Sequence, residues 1–209
     1  PYTTLFRSHE ITKGVAMNLA MTWVYQGRFE DAEGMALRAI DPITTGFDPV
    51  KQCTRSKRPY LIDALEILAR THEHLHKNAE AEAEYNVVLQ SRQSVLRPDH
   101  HFIFRTKESL ARVYGDSGAK SASKAFAIFE EVLENHTKEL GREHPDTLLS
   151  LHNYGTFLNR QGGEHGEKAK RLLEEAFEGR TRVLGPEHPL TLVSKACLAG
   201  MDEVGSSNV

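Results

Sequence analysis

The densest concentration of chemically capable side chains is His72-Glu-His-Leu-His76, which satisfies the H-E-x-x-H pattern of zinc metalloproteases. On one helix face His72 and His76 would offer two imidazoles to a Zn²⁺ ion, with Glu73 as general base. A catalytic zinc also needs a third protein ligand and an open coordination position, and no flanking segment supplies that ligand. His144 and His188 stand 44 residues apart in near-identical nonapeptides. Equivalent positions in stacked units point the same way without converging, and each histidine precedes a proline, so a structural role at a helix start is expected. Cys53 and Cys197 are too few for a disulfide framework and lack the paired spacing of a zinc site, which points to a reducing, cytoplasmic setting. No glycine-rich phosphate loop is present. Asn135-His-Thr137 matches the glycosylation pattern by chance, inside an expected helix. The residues therefore predict no catalytic group, no bound metal and no cofactor, and a zinc-dependent hydrolase centred on 72–76 is the rival reading.

The elements that would position these groups come from a chain of 209 residues, 39% hydrophobic, with 26 Lys+Arg against 29 Asp+Glu. The net charge of −3 gives no electrostatic case for nucleic acid or an anionic membrane. Apolar runs of a few residues fall far short of the roughly 20 needed to span a bilayer. Lys51, Arg55, Lys57 and Arg58 cluster in one segment that reads as a solvated connector. Residues 1–8, Pro-Tyr-Thr-Thr-Leu-Phe-Arg-Ser, resemble the frame translation of a short-read sequencing adapter, and they are excluded from fold reasoning as an expected artefact.

Internal repetition dominates the remainder. Leu140-Gly-Arg-Glu-His-Pro-Asp-Thr-Leu148 and Leu184-Gly-Pro-Glu-His-Pro-Leu-Thr-Leu192 recur at a period of 44, with a degenerate copy at Leu96. Ala81, Ala125 and Ala169 keep the same period. Between these landmarks apolar residues fall at three- and four-residue spacing, as in Leu151, Tyr154, Phe157 and Leu158, which predicts helices. Each unit reads as helix A, a turn, helix B and a connector. Turn breakers stand at Gln26-Gly27, Asp116-Ser117-Gly118 and Gln161-Gly162-Gly163. Pro145 and Pro189 open A helices, Asp146 and Thr147 offer acceptors near the positive helix end, and Gly141 and Gly185 stop B helices in a left-handed cap. Small residues at Ala20, Ala69, Ala111, Gly155 and Ala199 on A helices, and at Ala32, Ala81, Ala125 and Ala169 on B helices, allow close approach. A hairpin of this kind cannot bury its apolar face alone, so neighbours must stack.

These residues carry a resemblance. The segment Leu19-Ala-Met-Thr-Trp-Val-Tyr-Gln-Gly-Arg-Phe-Glu-Asp-Ala-Glu33 resembles a tetratricopeptide repeat hairpin, as does Leu68-Ala-Arg-Thr-His through Tyr85. The period and the Leu-Gly-x-Glu-His-Pro-x-Thr-Leu connector resemble the kinesin-light-chain class, which also occurs in arrays attached to receptor-like NTPases. His72 departs from the pattern in an aromatic slot, His76 departs from it where a turn glycine is usual, and residues 41–58 form the longest connector. The resemblance implies an all-α helical-hairpin solenoid with a right-handed superhelix. Its hairpins would lie at 9–40, 59–96, 102–140 and 145–184, with a truncated fifth repeat at 189–205 and a disordered end at 206–209. Leu198 and Met201 would then present an unpaired apolar face.

The solvent side of the A helices is the remaining constellation. In this register it comprises Met17, Asn18, Met21 and Tyr25; Glu66, Ile67, Arg70 and His74; Glu108, Ser109, Arg112 and Asp116; and His152, Asn153, Thr156 and Arg160. Amide and guanidinium groups suit an extended peptide, and the resemblance implies that Asn18 and Asn153 hold a peptide backbone. The expected activity is a non-catalytic protein-interaction scaffold whose concave face binds a protein or peptide partner through Asn18, Tyr25, Arg70, Arg112, Asn153 and Arg160. Nucleic acid, membrane and small-molecule substrates are not expected. A purely structural spacer of a larger receptor-like NTPase is the second alternative.

Overall fold

The computed structural model describes residues 10–40, 50 and 59–206. The adapter-like residues 1–8, the basic cluster at 51–58 and residues 207–209 therefore lie outside the described residues. The described chain is helical, with no strand: α1 (Glu10–Tyr25), α2 (Phe29–Ile40), α3 (Pro59–His74), α4 (Asn78–Val95), α5 (His101–Asp116), α6 (Ala119–Leu140), α7 (Pro145–Gln161), α8 (Gly166–Leu184) and α9 (Pro189–Ser206), with one 3-10 turn at Gly163–His165. α9 runs through Ser206, which the sequence reading assigned to a disordered end; a helix end extends or frays by a residue or two at little cost.

The chain divides into two compact units, residues 1–122 and 123–209. In the first, α1 packs on α2, α2 on α3, α3 on α4 and α4 on α5. Its core joins Ala20, Val24, Ala32, Ala36 and Ile40 to Leu61, Ala64, Leu65 and Leu68. In the second, α7 packs on α8 and α8 on α9, and Leu148, Leu151 and Ala176 form a cluster against Leu133 and Leu172. Phe129 of α6 stacks on Tyr154 of α7 with ring centroids 5.5 Å apart.

Small residues set the helix separation. Ala20, Ala69, Ala111 and Gly155 are all buried on A helices, as are Ala32, Ala81, Ala125 and Ala169 on B helices. The approach is tightest at Gly155, where a Cβ would stand 2.7 Å from Leu173 Cγ and 3.2 Å from the Ala169 carbonyl oxygen. Ala199 departs from the expectation: it is exposed, because no B helix among the described residues covers that side of α9. Leu190, Leu192 and Val193, at 45%, 44% and 47%, are the large exposed apolar residues there, whereas Leu198 and Met201 are half-buried.

The connectors carry two devices, of which the sequence shows only the first, and that in part, as histidines expected at helix starts. His100, His144 and His188, at the period of 44, each turn Nδ1 to accept the backbone N–H two residues on, at 3.2 Å from Phe102, Asp146 and Leu190 respectively. The imidazole thus caps the A helix, satisfying one of its unpaired donors. Thr147 was expected to add an acceptor at the helix start; its hydroxyl instead donates back across the connector to the Gly141 carbonyl at 2.7 Å. Gly141 and Gly185 do end their helices at positive φ (86° and 93°), and at Gly185 ψ is 159°, in a region open essentially to glycine alone rather than the left-handed helical one.

The second device is a latch from each of the B helices α4, α6 and α8 to the next A helix. Arg92 donates to Thr106 Oγ1 at 2.5 Å, His136 Nδ1 lies 2.8 Å from Ser150 Oγ, and Arg180 donates to Ser194 Oγ at 2.7 Å. All three pairs are buried and all three span 14 residues. Because a buried polar group is stable only with a partner, each latch fixes the register between consecutive repeats.

Gly155→Ala is expected to cost about 1–3 kcal/mol in urea unfolding, by overpacking against Leu173; an unchanged midpoint would mean that the α7–α8 contact yields freely.

Candidate functional site

The H-E-x-x-H segment folds in a way that separates its two outer histidines. α3 ends at His74, and the chain turns through hydrogen bonds from the His76 N–H to the Glu73 carbonyl and from the Lys77 N–H to the His72 carbonyl. His76 sits in that turn at φ 57°, a left-handed conformation unfavourable for a side chain with a Cβ. The two imidazoles therefore do not share one helix face.

Each remaining member is engaged elsewhere. His72 is buried in the slot that the repeat pattern reserves for an aromatic residue, and there it lies between two carboxylates. Its Nδ1 is 2.9 Å from Glu84 Oε2 of α4 and its Nε2 3.1 Å from Glu33 Oε1 of α2. Burial alone would lower its pKa, but the hydrogen bonds and charges of Glu84 and Glu33 outweigh that and hold the imidazole above its usual range. Lys77 Nζ closes the far side of Glu33 at 2.7 and 2.8 Å. Glu73, the supposed general base, accepts from Arg112 Nε at 2.7 Å and from the Tyr85 hydroxyl at 2.9 Å. His74 stacks its ring on Phe29 at 4.5 Å. Among the described residues no three His, Cys, Asp or Glu side chains are grouped to hold a metal ion.

On the A-helix face of the first unit, Asn18 and Tyr25 are exposed, Tyr25 at 78%. Between α1 and α3, Arg70 Nη1 lies 3.8 Å from Met21 Sδ. Arg70 is half-buried and has no carboxylate in ion-pair contact among the described residues. Arg112 is differently placed. Its guanidinium is held by Glu73 and by Ser109 Oγ at 3.0 Å, so it contributes a neutralised pair rather than an open cation. Ile67, Glu108 and Ser109, assigned to the same face by register, are buried, because the A-helix stripe that packs on neighbouring helices is wider than the i, i+3, i+7 count allowed.

In the second unit, Asn153 is half-buried and Arg160 exposed on α7. Their neighbour His152 places Nδ1 3.2 Å from Ser194 Oγ of α9. Burial, followed by the charge of Arg180, pushes His152 down to about 4.

The paired helices, the small residues at each A–B contact and the 44-residue connector converge on one architecture. A tetratricopeptide repeat family model matches residues 14–41 and 147–190. Those two segments are tetratricopeptide repeats. No curated protein matches the sequence. Among solved structures, the array is similar to a Podosopora anserina protein described as a kinesin light chain with nearly identical tetratricopeptide-like repeats. Its Q17M form shares 23% identity over 96% of this chain and 90% of that one, with a TM-score of 0.68. The form without that substitution gives 0.67. BtubC from P. vanneervenii is 16% identical over 94% of this chain and 75% of its own, with a TM-score of 0.66. The fold is thus that of kinesin-light-chain-type repeat arrays. Arrays of this kind typically mediate protein–protein interaction and are typically non-catalytic. No helix among the described residues is long and apolar enough to cross a membrane.

His76→Gly is expected to stabilise the array by about 0.5–1 kcal/mol, since glycine adopts a positive φ without strain; a lower urea midpoint would show that the His76 side chain contributes more than its backbone costs. The His152 pKa lies below the unfolded value of 6.5, so the folded chain binds fewer protons there. Its contribution is complete above pH 6.5 and is lost as the pH falls toward 4, by roughly 3 kcal/mol. Unfolding curves at pH 7 and pH 4 for the native chain and His152→Gln check this, the variant losing less than the native chain.

Proposed function

We propose that the array is a non-catalytic interaction scaffold that holds an extended partner peptide on the A-helix face, the side that sequence reading made concave. Arg70 carries this reading: a half-buried guanidinium that lies against a thioether and pairs with no carboxylate among the described residues, beside the exposed Asn18 and Tyr25, is poised for an acceptor from outside the chain. Asn18 adds an amide able to donate to and accept from a peptide backbone, and Tyr25 adds an apolar wall with a hydroxyl tip. Arg112 enters as part of the Glu73 pair and shapes the floor of this face. In the second unit, Asn153 and Arg160 of α7 offer the same pairing of amide and cation. A cytoplasmic setting belongs to this reading and rests on the two cysteines and their spacing.

Peptide-display selection on the full chain, beside the double variants Asn18→Ala, Arg70→Glu and Asn153→Ala, Arg160→Glu, separates the contributions of the two units. The expected result is a shared motif whose affinity falls at least about tenfold, 1.4 kcal/mol, in the first variant at unchanged helicity. Equal binding by both variants would place the partner on another surface. Selection of no motif would favour a spacer.

A further inference from the structure

The repeat register brings a cation to the same place on two B helices, and only one of them is neutralised from within. Arg92 stands eleven residues after the small residue Ala81, and Arg180 eleven after Ala169. Both are buried, and both donate Nη1 to the next A helix: Arg92 to Thr106 Oγ1 at 2.5 Å and to the Phe102 carbonyl at 3.3 Å, Arg180 to Ser194 Oγ at 2.7 Å and to the Leu190 carbonyl at 3.0 Å. Arg92 also forms a bidentate pair with Glu66, at 3.0 and 2.7 Å. Glu66 lies three residues before the small A-helix residue Ala69. The position three before Gly155, its counterpart in the fourth repeat, is His152.

Arg180 is only 2% exposed, and no carboxylate among the described residues is in ion-pair contact with it. The titratable groups facing it are His152 of α7 and Cys197 of α9. A buried cation without an anion is costly, and the Arg92–Glu66 pair is the solution that this fold already uses elsewhere. The surroundings are also set for an acceptor. Arg180 donates to Ser194 Oγ, and that oxygen lies 3.2 Å from His152 Nδ1; a serine proton given to Nδ1 would leave the proton of His152 on Nε2. His152 is half-buried, whereas Arg180 is closed off from solvent.

We propose that Arg180, Ser194 and His152 form a binding site for a carboxylate supplied from outside the chain, which takes the place that Glu66 occupies beside Arg92. The carboxylate accepts from the remaining N–H groups of Arg180 and from His152 Nε2–H. A single planar acid fits this arrangement, because the fork of a guanidinium pairs with two oxygens of one carboxylate. The site lies wholly in the second unit and does not depend on the peptide reading of α1 and α3. Its occupant is either a free small acid or an acidic side chain of a peptide.

Sodium acetate is titrated into the full chain against sodium chloride at constant ionic strength, with the His152 ring signals followed by NMR, and N-acetylglutamyl amide is titrated in the same way. A saturable His152 shift, with a midpoint below about 50 mM, is expected for at least one of the two. Response to both supports a small acid, and response to the amide alone supports a peptide side chain. His152→Glu installs the missing carboxylate, so it is expected to raise Tm and to leave Tm insensitive to either acid. Arg180→Gln is expected to weaken the His152 response at least tenfold. The proposal is overturned if chloride shifts His152 as acetate does, if neither acid gives saturation, or if Arg180→Gln responds like the native chain. It is equally overturned if a folded His152→Glu keeps its acid-dependent Tm.

Discussion

Everything in this array depends on how closely two helices can approach. At the α7–α8 contact Gly155 faces Ala169, so backbone lies nearly against backbone and even a methyl group would strike Leu173. That proximity removes water from the seam and leaves little freedom for side chains to adjust. Any polar group near the seam must then find its partner at a fixed distance. The latches from Arg92, His136 and Arg180 are the result, each meeting a hydroxyl on the next A helix.

The same constraint explains why residues that promise chemistry provide structure instead. His72 stands where an aromatic side chain would pack, and an imidazole in that slot must be paired; Glu33 and Glu84 supply the pairs from the helices on either side. Glu73 is held by Arg112 and Tyr85. The proposed peptide site is left to Asn18, Tyr25 and Arg70, of which the first two are exposed and the third half-buried.

Helix positions and turns were legible in the sequence because they rest on local signals. Period-44 landmarks, prolines at helix starts and glycines at positive φ act within a few residues of themselves. The histidine caps were half legible: His144 and His188 were assigned to helix starts, but their role as acceptors needs the ring rotamer. The latches keep the same period, at 92, 136 and 180 against 106, 150 and 194, but their partners differ in type from repeat to repeat, so neither apolar nor small-residue spacing reveals them. The fate of Arg112 could not be read at all, since Glu73 lies 39 residues away and meets it only through the stacking of α3 and α5. Ala199 shows the converse limit, because register assigns a residue to a seam without saying whether anything lies on the other side.

The latches and caps also bear on how such a chain can change its length. Each joins a residue to another no more than 14 positions away, across a single connector. A tandem duplication or excision of one 44-residue block, made within a helix hairpin, carries both partners of every such bond together. Unequal recombination can therefore lengthen or shorten the array without breaking a latch or uncapping a helix. The longer-range Arg112–Glu73 pair does not travel this way, so it marks a junction at which the order of the repeats is no longer interchangeable.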